Sequence, residues 1–179
     1  KEKETVYLVN NYGEKLGEGI VEKVLHKPNK TNKPEAITVT AESIIGDRKY
    51  QQDFFLFTPD TNSEAVKDSG MLAIVCDGMG GMENGAEAAN MGAIQFMRAY
   101  LAVDKVQENT LVDAVYAANS AVYGAFQGKN GAMAGTTLIA ASILPDGLRF
   151  VSVGDSHLYL FRKGKTYQLN RDHNYFSEL

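Results

Sequence analysis

The stretch that decides the fold is Met71-Leu-Ala-Ile-Val-Cys76, followed at once by Asp77-Gly-Met-Gly-Gly81. The unbroken apolar run predicts a central strand covered on both faces, because a strand with one solvated face would alternate. The glycines are expected to end that strand in a turn, since glycine loses the most conformational freedom in regular structure. A run of small residues after a buried strand favours a functional loop. A phosphate-binding loop and a simple turn both stay open.

The flanking sequence predicts strands, then two helices, then strands. Alternation predicts a half-buried strand at 37–41, and a short apolar run predicts another at 54–57. Helical periodicity predicts helices over 85–102 and 108–126. The first should bury one stripe, Met91, Ile94, Met97 and Leu101, and the second another, Leu111, Val115, Ala118, Val122 and Phe126. Four strands follow, at 136–144, 148–153, 157–161 and 166–169. Short connections predict antiparallel neighbours throughout, and the whole pattern predicts an α+β fold of sheets with helices outside.

Residues 1–35 differ in composition from the rest of the chain. Possible strands at 5–9 and 20–25, around turn residues 10–13, predict a small hairpin, and the polar segment 26–34 predicts a linker. We therefore expect an N-terminal extension over 1–35 and one domain over 36–179.

Composition excludes several classes of protein. The 179 residues are ordinary for one globular domain, and a net charge of −4 argues against a nucleic-acid partner. Cys76 is the single cysteine, so no internal disulfide can form, and we expect a cytoplasmic protein. No apolar run approaches the ~20 residues that span a bilayer. Cys76 ends an apolar run and is expected to be buried rather than nucleophilic.

Three aspartates stand where strands meet loops: Asp53, Asp77 and Asp155. Carboxylate oxygens suit Mg²⁺ or Mn²⁺, and a cluster of them needs cations to offset its repulsion. Gly-Asp-Ser around Asp155, taken alone, is more typical of a hairpin turn. Arg48 could clamp a phosphate with two hydrogen bonds, or could be an ordinary solvated arginine.

Five motifs occur in order: Arg48-Lys-Tyr-Gln-Gln-Asp53, Val75-Cys-Asp-Gly-Met-Gly-Gly81, Ala134-Gly-Thr-Thr-Leu138, Val153-Gly-Asp-Ser156 and Leu169-Asn-Arg-Asp-His173. In this order, with strands and helices between them, they resemble the successive motifs of the PP2C-type (PPM) metal-dependent protein serine/threonine phosphatases. The resemblance covers residues 37–174. The methionine in Asp-Gly-Met-Gly-Gly is similar to bacterial members.

The resemblance implies an α/β/β/α sandwich with two Mn²⁺ or Mg²⁺ ions at one end, and a third ion in some members. Asp53 and Asp77 would be metal ligands, Gly78 would add its carbonyl oxygen, and Asp155 would match the residue tied to the third ion. Arg48 would hold the phosphate of a phosphoserine or phosphothreonine protein. A metal-activated water would attack phosphorus without a phosphoenzyme.

The sequence departs from the family pattern at Gln52, where many members have Glu, at Met79, where some have His, and at His157, where Arg is usual. Family members continue with Asp-Gly and Asp-Asn motifs that complete the metal ligands. We therefore expect residues 36–179 to be a C-terminally truncated domain, with exposed strand edges that a dimer or exchanged strand could cover. A catalytically inactive module that binds or regulates a partner is the alternative.

Overall fold

The computed structural model describes residues 4–9, 15–21, 37–58, 69–80, 83–126, 134–144, 147–171 and 173. Its strands are β1 Glu4–Val9, β2 Lys15–Val21, β3 Asp53–Phe57, β4 Met71–Met79, β5 Gly135–Thr136, β6 Leu138–Leu144, β7 Gly147–Val153, β8 His157–Arg162 and β9 Lys165–Gln168. Two helices separate β4 from β5: α1 Glu83–Leu101 and α2 Thr110–Phe126. The predicted α+β class, with antiparallel sheets and helices, is confirmed.

The strands form two antiparallel sheets. One has the order β3-β4-β6-β7, with β5 paired to the end of β4, and the other has the order β2-β1-β8-β9. α1 packs on β3 and β4, and α2 packs on α1. The described part of the chain is therefore layered as a helix pair, a first sheet and a second sheet.

The predicted central strand is β4, and both of its faces are covered. Alternate residues Leu72, Ile74 and Cys76 join the core beneath the helices. On the opposite face of the same sheet, Ile139 and Ala141 of β6 pack with Leu158 of the second sheet. Burial on both faces explains why this strand is apolar without alternation.

β4 does not end where the sequence predicted a turn. It continues through Asp77 and Gly78 to Met79, because Gly78 pairs with Thr136 and Met79 pairs with Gly135 of the short strand β5. The ladder partner comes from beyond both helices, so the local Asp-Gly signal could not reveal it. Asp77 therefore sits on a strand and takes its direction from the sheet.

The strand predicted at 37–41 is wrong. These residues alternate between half-buried and exposed, as the pattern required, but they pair with no described strand. Alternation determines which side chains turn inward. A strand also needs a neighbouring backbone edge, which a sequence pattern does not supply.

The helices begin and end close to the predicted residues, but the buried face of α1 differs from the prediction. Its core residues are Ala89, Ala93, Phe96, Met97 and Tyr100, whereas Leu101 is 47% exposed. Small alanines let α1 approach the sheet closely. The predicted stripe was based on large apolar side chains such as methionine, and it therefore missed these alanines. In α2 the predicted positions Leu111, Ala118 and Val122 are buried.

The connection from β7 to β8 is not a hairpin. β7 belongs to the first sheet and β8 to the second, so Gly154-Asp-Ser156 carries the chain from one sheet to the other. Gly154 has φ +99°, and a Cβ there would lie 2.7 Å from a Thr137 methyl carbon. Only glycine fits both the conformation and the space. The prediction of antiparallel neighbours fails at this one connection, and it holds for β6–β7 and β8–β9.

β1 and β2 form an antiparallel pair, and the second strand begins at Lys15 rather than at the predicted residue 20. β1 also pairs with β8, so that Thr5 lies opposite Phe161. The predicted turn at 10–13 and the polar segment 26–34 lie outside the described residues. None of the helices in the described ranges has the length and apolarity to cross a membrane.

Candidate metal centre

Asp53 and Asp77 lie directly opposite each other on β3 and β4. The backbone N–H of Gly78 donates to the carbonyl of Gln52 at 3.1 Å. The next pair along the ladder, Gln52 and Gly78, is therefore a hydrogen-bonded pair. Such pairs alternate along an antiparallel ladder, so Asp53 and Asp77 form a non-hydrogen-bonded pair, in which side chains are closest. Because Cys76 faces the helices, the two carboxyls point to the opposite face of the sheet, at its end.

The environment of Asp77 disfavours a lone negative charge. Burial raises the pKa of its carboxyl above the ordinary value of 3.8, opposed by a side-chain hydrogen bond with Asp53 and by the positive charge of Arg48, while the charge of Asp155 raises it further. The surroundings of Asp77 therefore favour a bound proton or a nearby cation over an isolated negative charge.

Arg48 lies at the mouth of the same site. It lines a cavity of about 210 Å³ together with Asp53 and Asp77, and with residues 44–47 and 50–52. Arg48 itself is exposed, although Asp53 and Asp77 are half-buried. The fold thus brings a guanidinium and a carboxyl pair, separated along the sequence, to one concave surface.

Gly78 is held in a place that admits no side chain. A Cβ on it would lie 2.0 Å from the Gly85 carbonyl oxygen and 2.8 Å from that of Gln52. In an extended strand the N–H and C=O of one residue point to the same side, so the Gly78 carbonyl is directed towards the β3 side, where Asp53 lies. The α1 backbone therefore fixes the strand end that carries this oxygen.

Asp155 reaches the site from the crossover between the sheets. Its charge acts on Asp77, but it does not line the Arg48 cavity. Within the described ranges, no three His, Cys, Asp or Glu side chains converge closely enough to hold a metal ion. The described residues therefore provide a carboxylate pair, a nearby carbonyl and a third carboxylate at greater distance.

These donors fit a hard divalent cation. All of them are oxygens, as Mg²⁺ and Mn²⁺ prefer. Asp53 and Asp77 lie opposite each other, so a bound cation would also relieve the repulsion between their carboxylates.

The structure shows the surroundings of the three residues that depart from the family pattern. The Gln52 side-chain amide donates to the Gly80 carbonyl at 3.0 Å, a bond that an ionised glutamate could not form. Met79 is 57% exposed at the end of β4. The His157 ring lies 5.8 Å from that of Tyr159, at an angle of 44°.

Sequence reasoning missed the support behind these residues. Thr137 and Ser156 are each 2% exposed and share a hydrogen bond between hydroxyls at 2.7 Å. Both residues lie within sequence motifs, which could have marked them as candidates. A motif does not show, however, which of its residues are in contact. Gly85 carried no signal, because glycine in a helix has many uses.

The protein phosphatase 2C family matches residues 43–178. A putative protein phosphatase of Mycoplasma genitalium is 26% identical over 143 residues, covering 74% of this chain and 52% of that relative. The chain spans about half the length of the curated relatives it matches.

Solved structures share the fold. The PPM Ser-Thr phosphatase MsPP of Mycobacterium smegmatis, in complex with cacodylate, is 29% identical with a TM-score of 0.58, over 70% of this chain and 49% of its own. The catalytic domain of the serine threonine protein phosphatase PstP, with two manganese ions, is 25% identical with a TM-score of 0.54, over 70% and 58%. Since the family match runs through most of this chain, the chain belongs to the protein phosphatase 2C family.

Proposed function

We propose that this protein is a metal-dependent protein phosphatase that hydrolyses phosphoserine and phosphothreonine. The observation that carries the proposal is that Arg48, Asp53 and Asp77 line one cavity, with the two carboxyls opposite each other across β3 and β4. A cationic clamp beside a carboxylate pair suits a phosphate ester bound next to divalent ions.

Asp53 and Asp77 would hold two Mn²⁺ or Mg²⁺ ions, and the Gly78 carbonyl would be a further ligand. The two manganese ions of PstP support this number. Asp155 would contribute to a third, weaker site. When bound, such ions lower the pKa of a water nucleophile and neutralise phosphoryl oxygens.

Arg48 would orient the substrate, because a guanidinium offers two parallel hydrogen bonds to a phosphate. The open cavity mouth suits a phosphorylated side chain of a protein. Cytoplasmic location belongs to the same proposal, since the chain has one buried cysteine. The dimer or strand exchange expected from the sequence finds no support in the fold or the relatives and forms no part of the proposal.

The test is hydrolysis of p-nitrophenyl phosphate and of a phosphothreonine peptide with and without Mn²⁺. We expect activity only with the metal, its loss in Asp77→Asn, and a raised KM with smaller change in kcat in Arg48→Ala. Asp104→Asn, an exposed aspartate between the helices, is the matched control and should keep full activity. Activity that persists in EDTA would overturn the proposal.

The alternative, an inactive module that binds or regulates a partner, is favoured by one observation: no three ligand side chains converge within the described ranges. It predicts no hydrolysis of either substrate at any Mn²⁺ concentration. Binding of Mn²⁺ measured by calorimetry separates the two, since the inactive module needs none.

A further inference from the structure

One buried hydroxyl connects the strand that carries Asp77 with the crossover that carries Asp155. The Asp77 backbone N–H donates to Thr137 Oγ1 at 3.0 Å, and the Thr137 N–H donates to the Asp77 carbonyl at 2.9 Å. Thr137 is 2% exposed, so water does not compete for these bonds. Its side chain thus replaces a backbone acceptor in the ladder.

The same side chain touches both neighbours of Asp155. Its Oγ1 shares a 2.7 Å hydrogen bond with Ser156 Oγ, and its methyl group packs where Gly154 has no side chain. A threonine hydroxyl can accept one hydrogen bond while it donates another. Thr137 can therefore satisfy the Asp77 N–H and Ser156 together.

Asn170 fixes the far side of the crossover. Its Nδ2 donates to the Ser156 carbonyl at 2.8 Å, and its Oδ1 accepts from the Leu158 N–H at 2.7 Å. Asn170 is 7% exposed and is satisfied at both ends of its amide. The segment bearing Asp155 is thus held from both sides, by Thr137 and by Asn170.

We propose that Thr137 is a positioning residue that sets the spacing between the Asp77 and Asp155 carboxylates and thereby the affinity for a divalent cation near them. The inference rests on the proposed function, because it assumes that these carboxylates bind cations. Residues that orient metal ligands through hydrogen bonds typically affect affinity by about 10–100-fold when changed.

The test is Mn²⁺ affinity, measured by calorimetry on the protein and two variants. Thr137→Val keeps the shape and removes the hydroxyl, and we expect about tenfold weaker binding at the weakest site. Thr137→Ser keeps the hydroxyl and should stay within about twofold of the wild type. Thermal unfolding in EDTA reports how much stability each variant loses.

Thr110→Val is the matched control. Thr110 is also buried, and its hydroxyl also accepts a backbone N–H, that of Gln107 at 2.8 Å, at the start of α2. It should lose comparable stability and keep the wild-type affinity. Wild-type affinity in Thr137→Val, or equal losses in both valine variants, would overturn the inference alone. A wild type that binds no Mn²⁺ would overturn the proposed function and the inference together.

Discussion

Asp53 and Asp77 face each other as a non-hydrogen-bonded pair across β3 and β4, the arrangement in which cross-strand side chains approach most closely. Like charges directly opposite each other destabilise a sheet. The pair therefore destabilises the metal-free fold, and a bound cation would make it stabilising.

Replacing Asp77 by Asn should stabilise the metal-free protein and abolish stabilisation by Mn²⁺. Removing one of two opposed carboxyls relieves up to about 1 kcal/mol of repulsion. Excess metal at about 100 times its Kd should stabilise the wild type by about 2.7 kcal/mol. Urea unfolding in EDTA and in Mn²⁺ measures both effects, with Asp104→Asn as control. Equal stabilisation of Asp77→Asn and wild type by Mn²⁺ would contradict this.

The Asp77 carboxyl should stabilise the metal-free protein at low pH and lose that contribution as pH rises through the acidic range. Burial raises the pKa of Asp77 above 3.8, so the folded state binds the proton more tightly than the unfolded state does. The resulting stability is complete below the ordinary pKa and disappears as pH passes the raised one. Free energies of unfolding measured in EDTA across that range should fall for the wild type relative to Asp77→Asn, which lacks the titrating carboxyl. Identical pH profiles would refute the effect.

Gly78→Ala should destabilise the fold by about 3 kcal/mol, since overpacking a filled site forces backbone shifts. Its Cβ would lie 2.0 Å from the Gly85 carbonyl oxygen. Gly124→Ala is the matched control, because nothing lies within 4 Å of a Cβ there, within α2. That variant should gain about 0.5–1 kcal/mol from helix propensity. Urea denaturation of both gives the difference, and similar values for the two would show that Gly85 yields.

Gln52→Glu should weaken the metal-free protein by about 0.5–1.5 kcal/mol, because an ionised carboxylate cannot donate to the exposed Gly80 carbonyl, which then bonds water in place of its 3.0 Å donor. The added charge should also tighten Mn²⁺ binding. Gln107→Glu, at an exposed position before α2, controls for the charge itself. Calorimetry and urea unfolding test the two effects. Unchanged stability in EDTA would mean that the hydrogen bond from the Gln52 side chain contributes nothing to stability.

Cys76 should be inert in the native protein. Burial raises the pKa of its thiol to about 12, partly offset by a hydrogen bond with Thr136, so almost no thiolate is present at neutral pH. A disulfide reagent such as Ellman's should not react with the folded protein and should release one equivalent after unfolding, since the chain has a single cysteine. Rapid labelling of the folded protein would contradict its burial.

The sequence predicted those parts of the fold that depend on local pattern. Periodicity found α2 and the strands from β6 onward, and the apolar run found β4, because each pattern directly reflects burial. The order of the motifs identified Asp53 and Asp77 as candidates. Their register across two strands required the structure.

Pairing between distant segments accounts for what sequence reasoning missed. β4 extends to Met79 only because Gly135 pairs with it, and 37–41 is no strand because no described strand pairs with it. Gly154 marks a change of sheet that has the same local signature as a hairpin. In each case the deciding partner lies far along the chain or in another layer.

The bond from Asp77 to Thr137 spans 60 positions, with both helices in between. Closing so long a loop costs entropy before any contact compensates for it. We therefore expect the Asp77 and Asp155 carboxylates to come together late in folding, after α1 and α2 have formed. An ion that recognises only the finished arrangement stabilises the native state and leaves the transition state nearly unchanged. Stopped-flow kinetics should then show that Mn²⁺ slows unfolding and leaves the folding rate as it was. The metal would therefore give the two-sheet fold kinetic stability, because it slows unfolding without helping the fold to form.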